Sequence, residues 1–170
     1  MATVFASDSA ACSAEALDER VELTLTTFNV LNPIFARINA EGARESTDEQ
    51  LWLARNEAIV RQLCASGSDV LCLQEYWVGG PPSFHELYER ELCAKRGYTR
   101  VVSAREGRAD GCLTLLGPRV SVVGEVVEVH FGSFADRVAH IVQLRVRTAA
   151  RERGGGGARE QPPPLSLIHI

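Results

Sequence analysis

The chain has 170 residues, of which 45% are hydrophobic, enough to bury one core of ordinary size. It contains no apolar run of about 18 residues and no basic start followed by an apolar stretch. We therefore expect a single intracellular, cytoplasmic domain without a transmembrane segment. The formal net charge of −4 is unlike that of a free-standing nucleic-acid binder. It does not exclude a hydrolase, because carboxylates are the ligands that hold divalent metal ions.

The cysteines favour buried thiols over disulfides or a zinc site. Their number is odd, no two have the CxxC spacing, and most have apolar neighbours. They are Cys12, Cys64, Cys72, Cys93 and Cys112.

The amino-terminal segment, residues 1–20, is rich in Ala and Ser and has too little apolar surface to order itself. We expect a disordered leader there. Residues 21–31 alternate apolar and polar types, are rich in β-branched residues and end before Asn32-Pro33. This pattern predicts the first strand.

A helix is predicted next. Ser46 and Glu49 have the spacing of a capping box, and an apolar stripe with helical spacing continues to Gly67: Trp52, Ile59 and Leu63. Residues 69–75 form a nearly continuous apolar run, which is typical of a buried strand. The order strand, helix, strand favours a parallel crossover.

The rest of the chain is predicted to contain one more helix and then mainly strands. The helix begins at Ser83, where Glu86 completes a second capping-box spacing, and stops at Gly97. Four strands follow, the first two joined by a loop at 106–111. They are predicted at 98–104, 112–116, 120–131 and 138–146.

The carboxyl-terminal segment changes in character. Residues 148–164 contain four consecutive glycines and three consecutive prolines, so we expect a flexible linker. Residues 165–170 fit two interpretations: the start of a next strand, or a foreign tail, since they resemble the translation of a sequencing adaptor.

Two polar residues, Asn29 and Glu75, lie at the ends of two strands that are predicted to be parallel neighbours. Because the carboxyl ends of parallel strands meet at one edge of a sheet, we expect these side chains to lie close together. From the residues alone, a solvated strand end is the simpler interpretation of Glu75, and a turn former that of Asn29.

Several strings in the chain resemble a known superfamily. They are TTFNVLNP at 26–33, LWLARN at 51–56, DVLCLQE at 69–75, RADGCLT at 108–114 and FADRVA at 134–139. Together, over residues 21–147, they resemble the endonuclease/exonuclease/phosphatase superfamily, whose fold is like that of deoxyribonuclease I. Plant and algal members that can carry a carboxyl-terminal EF-hand are the most similar branch, and deadenylases and nocturnin are more distant.

The resemblance implies a two-sheet α/β sandwich with outer helices, of which this chain is the amino-terminal part. It also implies hydrolysis of a phosphodiester or phosphomonoester by water that Mg²⁺, or Mn²⁺ in its place, activates. Glu75 is the implied metal ligand, and Asn29 orients the metal, its waters or the phosphate. The implied partner is a phosphate-ester substrate, with RNA or another nucleic acid among the candidates, and no partner protein is indicated.

The resemblance also implies roles for residues elsewhere. Asp110 lies near the substrate in the superfamily's central hairpin, although Asp-Gly is equally a turn pair. Arg108 beside it is a candidate phosphate contact. Arg55 matches an arginine of the first helix, which we interpret as part of a structural salt bridge.

Two later motifs of the superfamily, Gly-Asp-x-Asn and Ser-Asp-His, are absent from the chain. His169 matches the histidine of an Asn-Thr-His-Leu-like motif, although the Asn-Thr is missing, and the resemblance makes it a candidate catalytic residue beside Asn29 and Glu75. We therefore expect an inactive fragment that supplies about one of the two sheet layers. Two alternatives stay open: a non-catalytic binding or interaction module, and a sphingomyelinase or inositol-phosphate phosphatase branch of the same superfamily.

Overall fold

The computed structural model describes residues 2–3, 21–132, 136–147 and 164–169. These residues form two β-sheets, with two helices outside the larger one. The strands are β1 (Ala2–Thr3), β2 (Thr24–Asn29), β3 (Val70–Tyr76), β4 (Thr99–Ala104), β5 (Gly111–Leu116), β6 (Val120–Phe131), β7 (Arg137–Val146) and β8 (Leu165–His169). The helices are α1 (Glu49–Ser66) and α2 (Pro82–Tyr88), and a π-helical segment, Glu89–Ala94, continues α2.

The larger sheet has the strand order β1-β2-β3-β5-β4. Strands β2 and β3 are parallel, as predicted, with a register that runs from Leu25 opposite Val70 to Asn29 opposite Gln74. Strands β4 and β5 form the predicted hairpin. Strands β6, β7 and β8 form a separate antiparallel sheet.

The larger sheet is covered on both faces. Alternate residues of β3 and β5, such as Leu71 and Leu113, pack against aromatic side chains of the helices, including Trp52 and Phe84. The opposite face, with Val70, Cys72 and Leu116, packs against side chains of the smaller sheet: Val120, Val142 and Leu144. The expectation of about one sheet layer is therefore wrong. Strands β6, β7 and β8 form a second sheet, whose Val120, Val142 and Leu144 side chains cover the first.

Helix α1 confirms the predicted helix, but its start differs. The amino-terminal cap is Asp48, whose Oδ1 accepts a hydrogen bond from the backbone N–H of Leu51 (3.1 Å). Ser46 instead lies in a 3₁₀ turn, Glu45–Thr47, that precedes the helix. Gly67 ends the helix in the left-handed conformation, where glycine meets no steric penalty.

The second helix also begins without the predicted capping box. Pro82 occupies its first turn, a position that proline favours because its missing N–H has no helical partner there. The Ser83 hydroxyl donates instead to Glu49 of α1 (3.1 Å), so it ties the two helices together.

An ion pair joins the amino-terminal ends of β2 and β3 to the start of the second sheet. The Asp69 carboxylate accepts from the backbone N–H and the hydroxyl of Thr24 (2.8 and 2.7 Å) and from Arg119. Arg119 also donates to the carbonyl oxygen of Glu22. Burial by itself raises the pKa of Asp69, but these hydrogen bonds from Arg119 and Thr24 lower it to about 2.

Three segments singled out in the sequence are described only in part. In the predicted leader, residues 2–3 pair with β2, and the others lie outside the described residues. The predicted linker lies outside them apart from Pro164. Residues 165–169 form β8, which pairs with β7.

No helix in the described ranges is long and apolar enough to cross a membrane. The described cysteines are free thiols: Cys64, Cys72, Cys93 and Cys112.

Gly111, at the start of β5, provides a test of the β4–β5 pairing. A Cβ atom there would lie 2.1 Å from the carbonyl oxygen of Ser103, so the strands would have to separate. We expect Gly111→Ala to lower the free energy of unfolding by about 2–3 kcal/mol, measured by urea denaturation. Gly132→Ala is the matched control, because nothing lies within 4 Å of its added methyl group. Equal stability of the two variants would contradict the close pairing.

Candidate active site

The structure brings Asn29 and Glu75 together at one edge of the larger sheet. The Nδ2 atom of Asn29 donates a hydrogen bond to Oε1 of Glu75 over 2.8 Å. The two residues are 46 positions apart in the chain. They meet because they end parallel, hydrogen-bonded strands. The predicted proximity of the two side chains is therefore present in the structure.

Glu75 has an unusual backbone conformation. Its φ angle is +56°, in the left-handed region that non-glycine residues rarely adopt. The pairing of β3 with β5 shifts register between Leu73 and Tyr76, so Glu75 lies in a β-bulge. A bulge of this kind re-aims a side chain at the end of a strand.

One oxygen of the Glu75 carboxylate has a partner and the other does not. Oε1 accepts from Asn29, whereas Oε2 is buried without a hydrogen-bond partner among the described residues. An unpaired buried carboxylate oxygen is costly, which makes it a candidate ligand atom.

The Asn29 side chain is fixed by a turn that follows β2. Its Oδ1 accepts a hydrogen bond from the backbone N–H of Leu31 (2.8 Å). That contact identifies the oxygen of the amide, so the nitrogen must face Glu75. Leu31 has a φ angle of +51°, a second left-handed residue at this edge. Asn29 thus points a donor at Glu75, rather than an oxygen at a metal.

Arg55 of α1 supports the same turn. Its Nη1 donates to the carbonyl oxygen of Val30 (2.6 Å) and its Nη2 to that of Leu31 (2.7 Å). The guanidinium group also pairs with Glu45, which is buried. The predicted salt bridge of Arg55 is therefore present, and two backbone contacts accompany it.

The β4–β5 hairpin places the other predicted residues. Asp110 is buried in an ion pair with Arg105 (2.8 Å), and its Oδ1 atom has no partner among the described residues. Arg108, on the loop before it, is exposed and pairs with Asp136 (3.3 Å). The ion pairs of Asp110 and Arg108 are with Arg105 and Asp136, and do not involve Asn29 or Glu75.

His169 lies between the two sheets, where it is buried. Its Nδ1 bonds the hydroxyl of Thr114 (2.8 Å), and its Nε2 bonds the side-chain amide of Gln74 (2.8 Å). The same Thr114 hydroxyl bonds Nε2 of the buried His140 (2.6 Å), whose Nδ1 bonds Ser103 (3.0 Å). The contacts of His169 thus end at Gln74, one residue before Glu75 along β3.

Burial makes both imidazoles weak bases. It lowers the pKa of His140, and burial together with the neighbouring His140 lowers the pKa of His169 to about 4. Both rings are therefore neutral at pH 7. A neutral imidazole can hold a hydrogen bond at each of its two nitrogens.

The residues at this edge provide one protein ligand for Mg²⁺, the Glu75 carboxylate, so water would have to occupy the other coordination positions. Mg²⁺ keeps several waters and is often held by one or two carboxylates, as the free oxygen of Glu75 would allow. Within residues 21–132, 136–147 and 164–169 there is no cluster of three or more His, Cys, Asp or Glu side chains that could hold a metal. Among the described residues, the chemistry of Glu75 suits a hydrated hard cation, and the ligand cluster that zinc needs is not present.

Solved structures share this arrangement of sheets and helices. The 2',3'-cyclic phosphatase ANGEL2, in complex with adenosine-2',3'-vanadate, has a TM-score of 0.60 and 19% identity, over 86% of this chain and 40% of that chain. The fold is DNase I-like. The human nocturnin catalytic domain with a bound sulfate anion shares this DNase I-like fold with a TM-score of 0.54 and 18% identity, over 78% of this chain and 45% of its own.

A curated protein and a third structure extend the comparison of the DNase I-like fold. An uncharacterized calcium-binding protein of Arabidopsis thaliana is 38% identical over 126 residues, which cover 72% of this chain and 26% of that protein. TDP2 from C. elegans has a TM-score of 0.52 and 14% identity, over 73% of this chain and 32% of its own. No protein-family profile matches. The chain thus spans about a quarter of the curated relative.

Sequence reasoning missed the contacts of two residues next to this candidate site. Glu45 precedes the helix in a polar connector, and nothing in its local pattern indicates that it is buried beside Arg55. Gln74 stands within the string that led to Glu75, but its contacts reach the other sheet. One signal in the sequence could have indicated the contacts of Gln74. The buried strand ends in two adjacent polar residues, Gln74 and Glu75, and because successive side chains of a strand point to opposite faces of the sheet, the two must face different sides.

The buried histidines predict a loss of stability in mild acid. Their pKa values are lower in the folded chain than the unfolded value of about 6.5, so the stabilisation is present above that pH and is lost as the pH falls. Between pH 7 and pH 5 we expect the free energy of unfolding to fall by roughly 2 kcal/mol from His169 alone, with a further loss from His140. Urea denaturation at pH 7, 6 and 5 measures this loss.

The double variant His140→Gln, His169→Gln is the control for that measurement. It keeps side chains that form hydrogen bonds but removes both titrating groups. Its free energy of unfolding should change less across the same pH range. An equally steep fall in the double variant would show that other groups cause the acid sensitivity.

Proposed function

We propose that the protein containing this chain is a metal-dependent phosphoric ester hydrolase and that Glu75 is its metal-binding carboxylate. The observation that carries the proposal is the Glu75 carboxylate itself. One of its oxygens is fixed by Asn29, and the other is buried without a partner among the described residues. A carboxylate in this state is preorganised to accept a cation, because its position is already set before the ion arrives.

The proposal assigns different tasks to the two residues. Glu75 would hold Mg²⁺, or Mn²⁺ in its place. Asn29 is a positioning residue that holds Oε1 of Glu75 through its amide N–H. When bound, the ion would supply charge neutralisation at a phosphate oxygen and a more acidic water molecule.

The loop of the β4–β5 hairpin carries a cation suited to a phosphate ester. Arg108 is exposed on the hairpin loop, and its present partner, Asp136, is exposed as well. Exposed ion pairs are weak, so a phosphate group can compete for the guanidinium at little cost. We propose Arg108 as a substrate contact. Asp110, which pairs with Arg105, would fix the hairpin loop that carries Arg108.

The comparisons support a phosphate-ester substrate. The ANGEL2 structure is that of a 2',3'-cyclic phosphatase with an adenosine vanadate. A D. rerio TDP2 structure contains a single-strand DNA product, with a TM-score of 0.50 and 17% identity over 73% of this chain. We propose phosphate esters as the substrate class, with RNA and other nucleic acids as the first members to test.

The 170 residues alone are proposed to bind the metal without turning over a phosphate ester. The Gly-Asp-x-Asn and Ser-Asp-His motifs of the superfamily are absent from them, so the aspartate and the histidine of those motifs are absent as well. Catalysis would belong to a longer protein of which this chain covers one part.

The test is metal binding by the chain itself. Titration of Mn²⁺, followed by electron paramagnetic resonance of the free ion, should detect one site that Mg²⁺ competes for. Glu75→Gln removes the anionic ligand but keeps the size of the side chain, so the site should be lost. Glu57→Gln makes the same change on the exposed side of α1 and should leave binding unaltered.

Two results would contradict the proposal. One is the absence of a saturable Mn²⁺ site in the wild-type chain. The other is equal affinity in the wild type and in Glu75→Gln. Turnover is tested separately, on a longer protein that contains the later motifs, with a panel of RNA, DNA and nucleotide phosphates.

A further inference from the structure

We propose that Arg55 and Glu45 are positioning residues for the candidate site, which act by holding the turn that fixes Asn29 against Glu75. This inference rests on the proposed function, because it names a residue pair that tunes the same metal site. It goes beyond the structural salt bridge expected for Arg55.

The contacts of Arg55 are divided between two parts of the chain. Its Nε and Nη2 atoms donate to the Glu45 carboxylate over 2.5–2.9 Å. Its Nη1 and Nη2 atoms donate to the carbonyl oxygens of Val30 and Leu31 over 2.6 and 2.7 Å. The guanidinium group therefore joins a buried carboxylate to the two residues that directly follow Asn29.

These two carbonyl groups belong to a strained segment. Leu31 has a φ angle of +51°, which costs a leucine free energy because its Cβ crowds the backbone. Such a conformation persists only where its surroundings determine it in several ways. Here the Leu31 N–H is held by the Asn29 side chain and the Leu31 carbonyl by Arg55.

The position of Asn29 depends on the same turn. Its Oδ1 is occupied by the Leu31 N–H, and this contact turns its Nδ2 toward Glu75. If Leu31 relaxes to an ordinary conformation, its N–H moves and Asn29 loses that anchor. The Glu75 carboxylate then loses its fixed orientation as well.

Glu45 is suited to hold Arg55 in place. Its side chain is 5% exposed, and its backbone N–H donates to the carbonyl of Ala36 in the same connector (3.0 Å). A bidentate, largely buried pair fixes the plane of the guanidinium, and only arginine has enough donors to serve the carboxylate and two carbonyls together. Lysine at this position keeps the charge but cannot reproduce the geometry.

Arg119 provides a matched control within the same chain. It also pairs with a carboxylate, that of Asp69, and with one backbone carbonyl, that of Glu22. It lies at the amino-terminal ends of β2 and β3, whereas Arg55 acts at their carboxyl ends. Both arginines can therefore be replaced by lysine with a comparable loss of ion pairing, but only one replacement should reach Asn29.

The experiment compares Arg55→Lys with Arg119→Lys in the 170-residue chain. The first readout is the ¹⁵N NMR signal pair of the Asn29 side-chain amide, assigned with Asn29→Asp. In the wild type the two protons should be well separated and slow to exchange, because one is bonded to Glu75. In Arg55→Lys the pair should move toward the values of a solvated amide. In Arg119→Lys it should stay in place.

The second readout is the Mn²⁺ dissociation constant. We expect Arg55→Lys to raise it about tenfold, as for other residues that orient a metal ligand, and Arg119→Lys to leave it unchanged. Urea denaturation records how much each variant destabilises the fold. If Arg55→Lys does not fold, Glu45→Gln gives the same readouts, because it keeps the Arg55 side chain but removes the carboxylate that holds its guanidinium group against the Val30 and Leu31 carbonyls.

The outcomes separate the two proposals. Wild-type Asn29 signals in Arg55→Lys, with only a loss of stability, would overturn the positioning role and leave Arg55 as a structural salt bridge. Asn29 signals that change equally in Arg119→Lys would overturn it too, since general loosening would then explain both. A wild-type chain that binds no Mn²⁺ would refute the proposed function, while the Asn29 signals would still decide the role of Arg55.

Discussion

Parallel pairing of β2 and β3 is the constraint on which the candidate site depends. Parallel neighbours need a long crossover connection, and α1 provides it on the outer face of the sheet. Both strands then end at the same edge, which puts Asn29 within hydrogen-bond distance of Glu75. Antiparallel pairing of the same two segments would have placed these side chains at opposite ends. The crossover helix also carries Arg55, so one connection supplies both the juxtaposition and its support.

The edge that carries the site is also the place where the backbone departs from regular geometry. Leu31 and Glu75 have left-handed conformations, and Glu75 interrupts the pairing of β3 with β5. Strained residues of this kind concentrate at functional sites, because the surrounding structure has to hold them. The opposite ends of the same strands are joined by the Asp69–Arg119 ion pair without a left-handed non-glycine residue in the described segments around them. The contrast agrees with the proposal of a metal site at the carboxyl ends of this parallel pair.

Much of the fold follows from local patterns. The apolar runs predict the bounds of β3 to β7 within one residue, whereas β2 begins three residues later than predicted. The spacing of Trp52 and Leu63 predicts the buried face of α1. Capping was harder to predict, because Ser46, Asp48 and Glu49 are all good terminal residues and the choice among them depends on the turn before the helix. The two-sheet sandwich that the resemblance implies is present. That this chain supplies strands of both sheets was missed, because periodicity indicates which residues of a strand are buried but not which sheet covers them.

The candidate site shows a similar division. The proximity of Asn29 and Glu75 was predicted from the succession of strand, helix and strand along the chain. Each of these elements has a local sequence pattern, and their succession favours parallel strands that end at one edge of the sheet. The direction of the Asn29 amide did not follow, since it is set by the conformation of Leu31, and that conformation is stabilised by Arg55 from another element. Long-range contacts of this kind have no signature in a window of a few residues, which is why Glu45 and Gln74 were also missed.

The hydrogen bonds that run through the Thr114 hydroxyl between the two sheets have one direction. The Gln74 amide nitrogen can only donate, so it requires the Nε2 atom of His169 to be an acceptor. The neutral ring then carries its proton on Nδ1 and donates to Thr114, whose own proton is free for Nε2 of His140. His140 in turn donates from Nδ1 to Ser103. Every donor therefore points the same way along this chain, from the residue beside Glu75 to the outermost strand of the sheet, and reversing one bond requires reversing those that follow it.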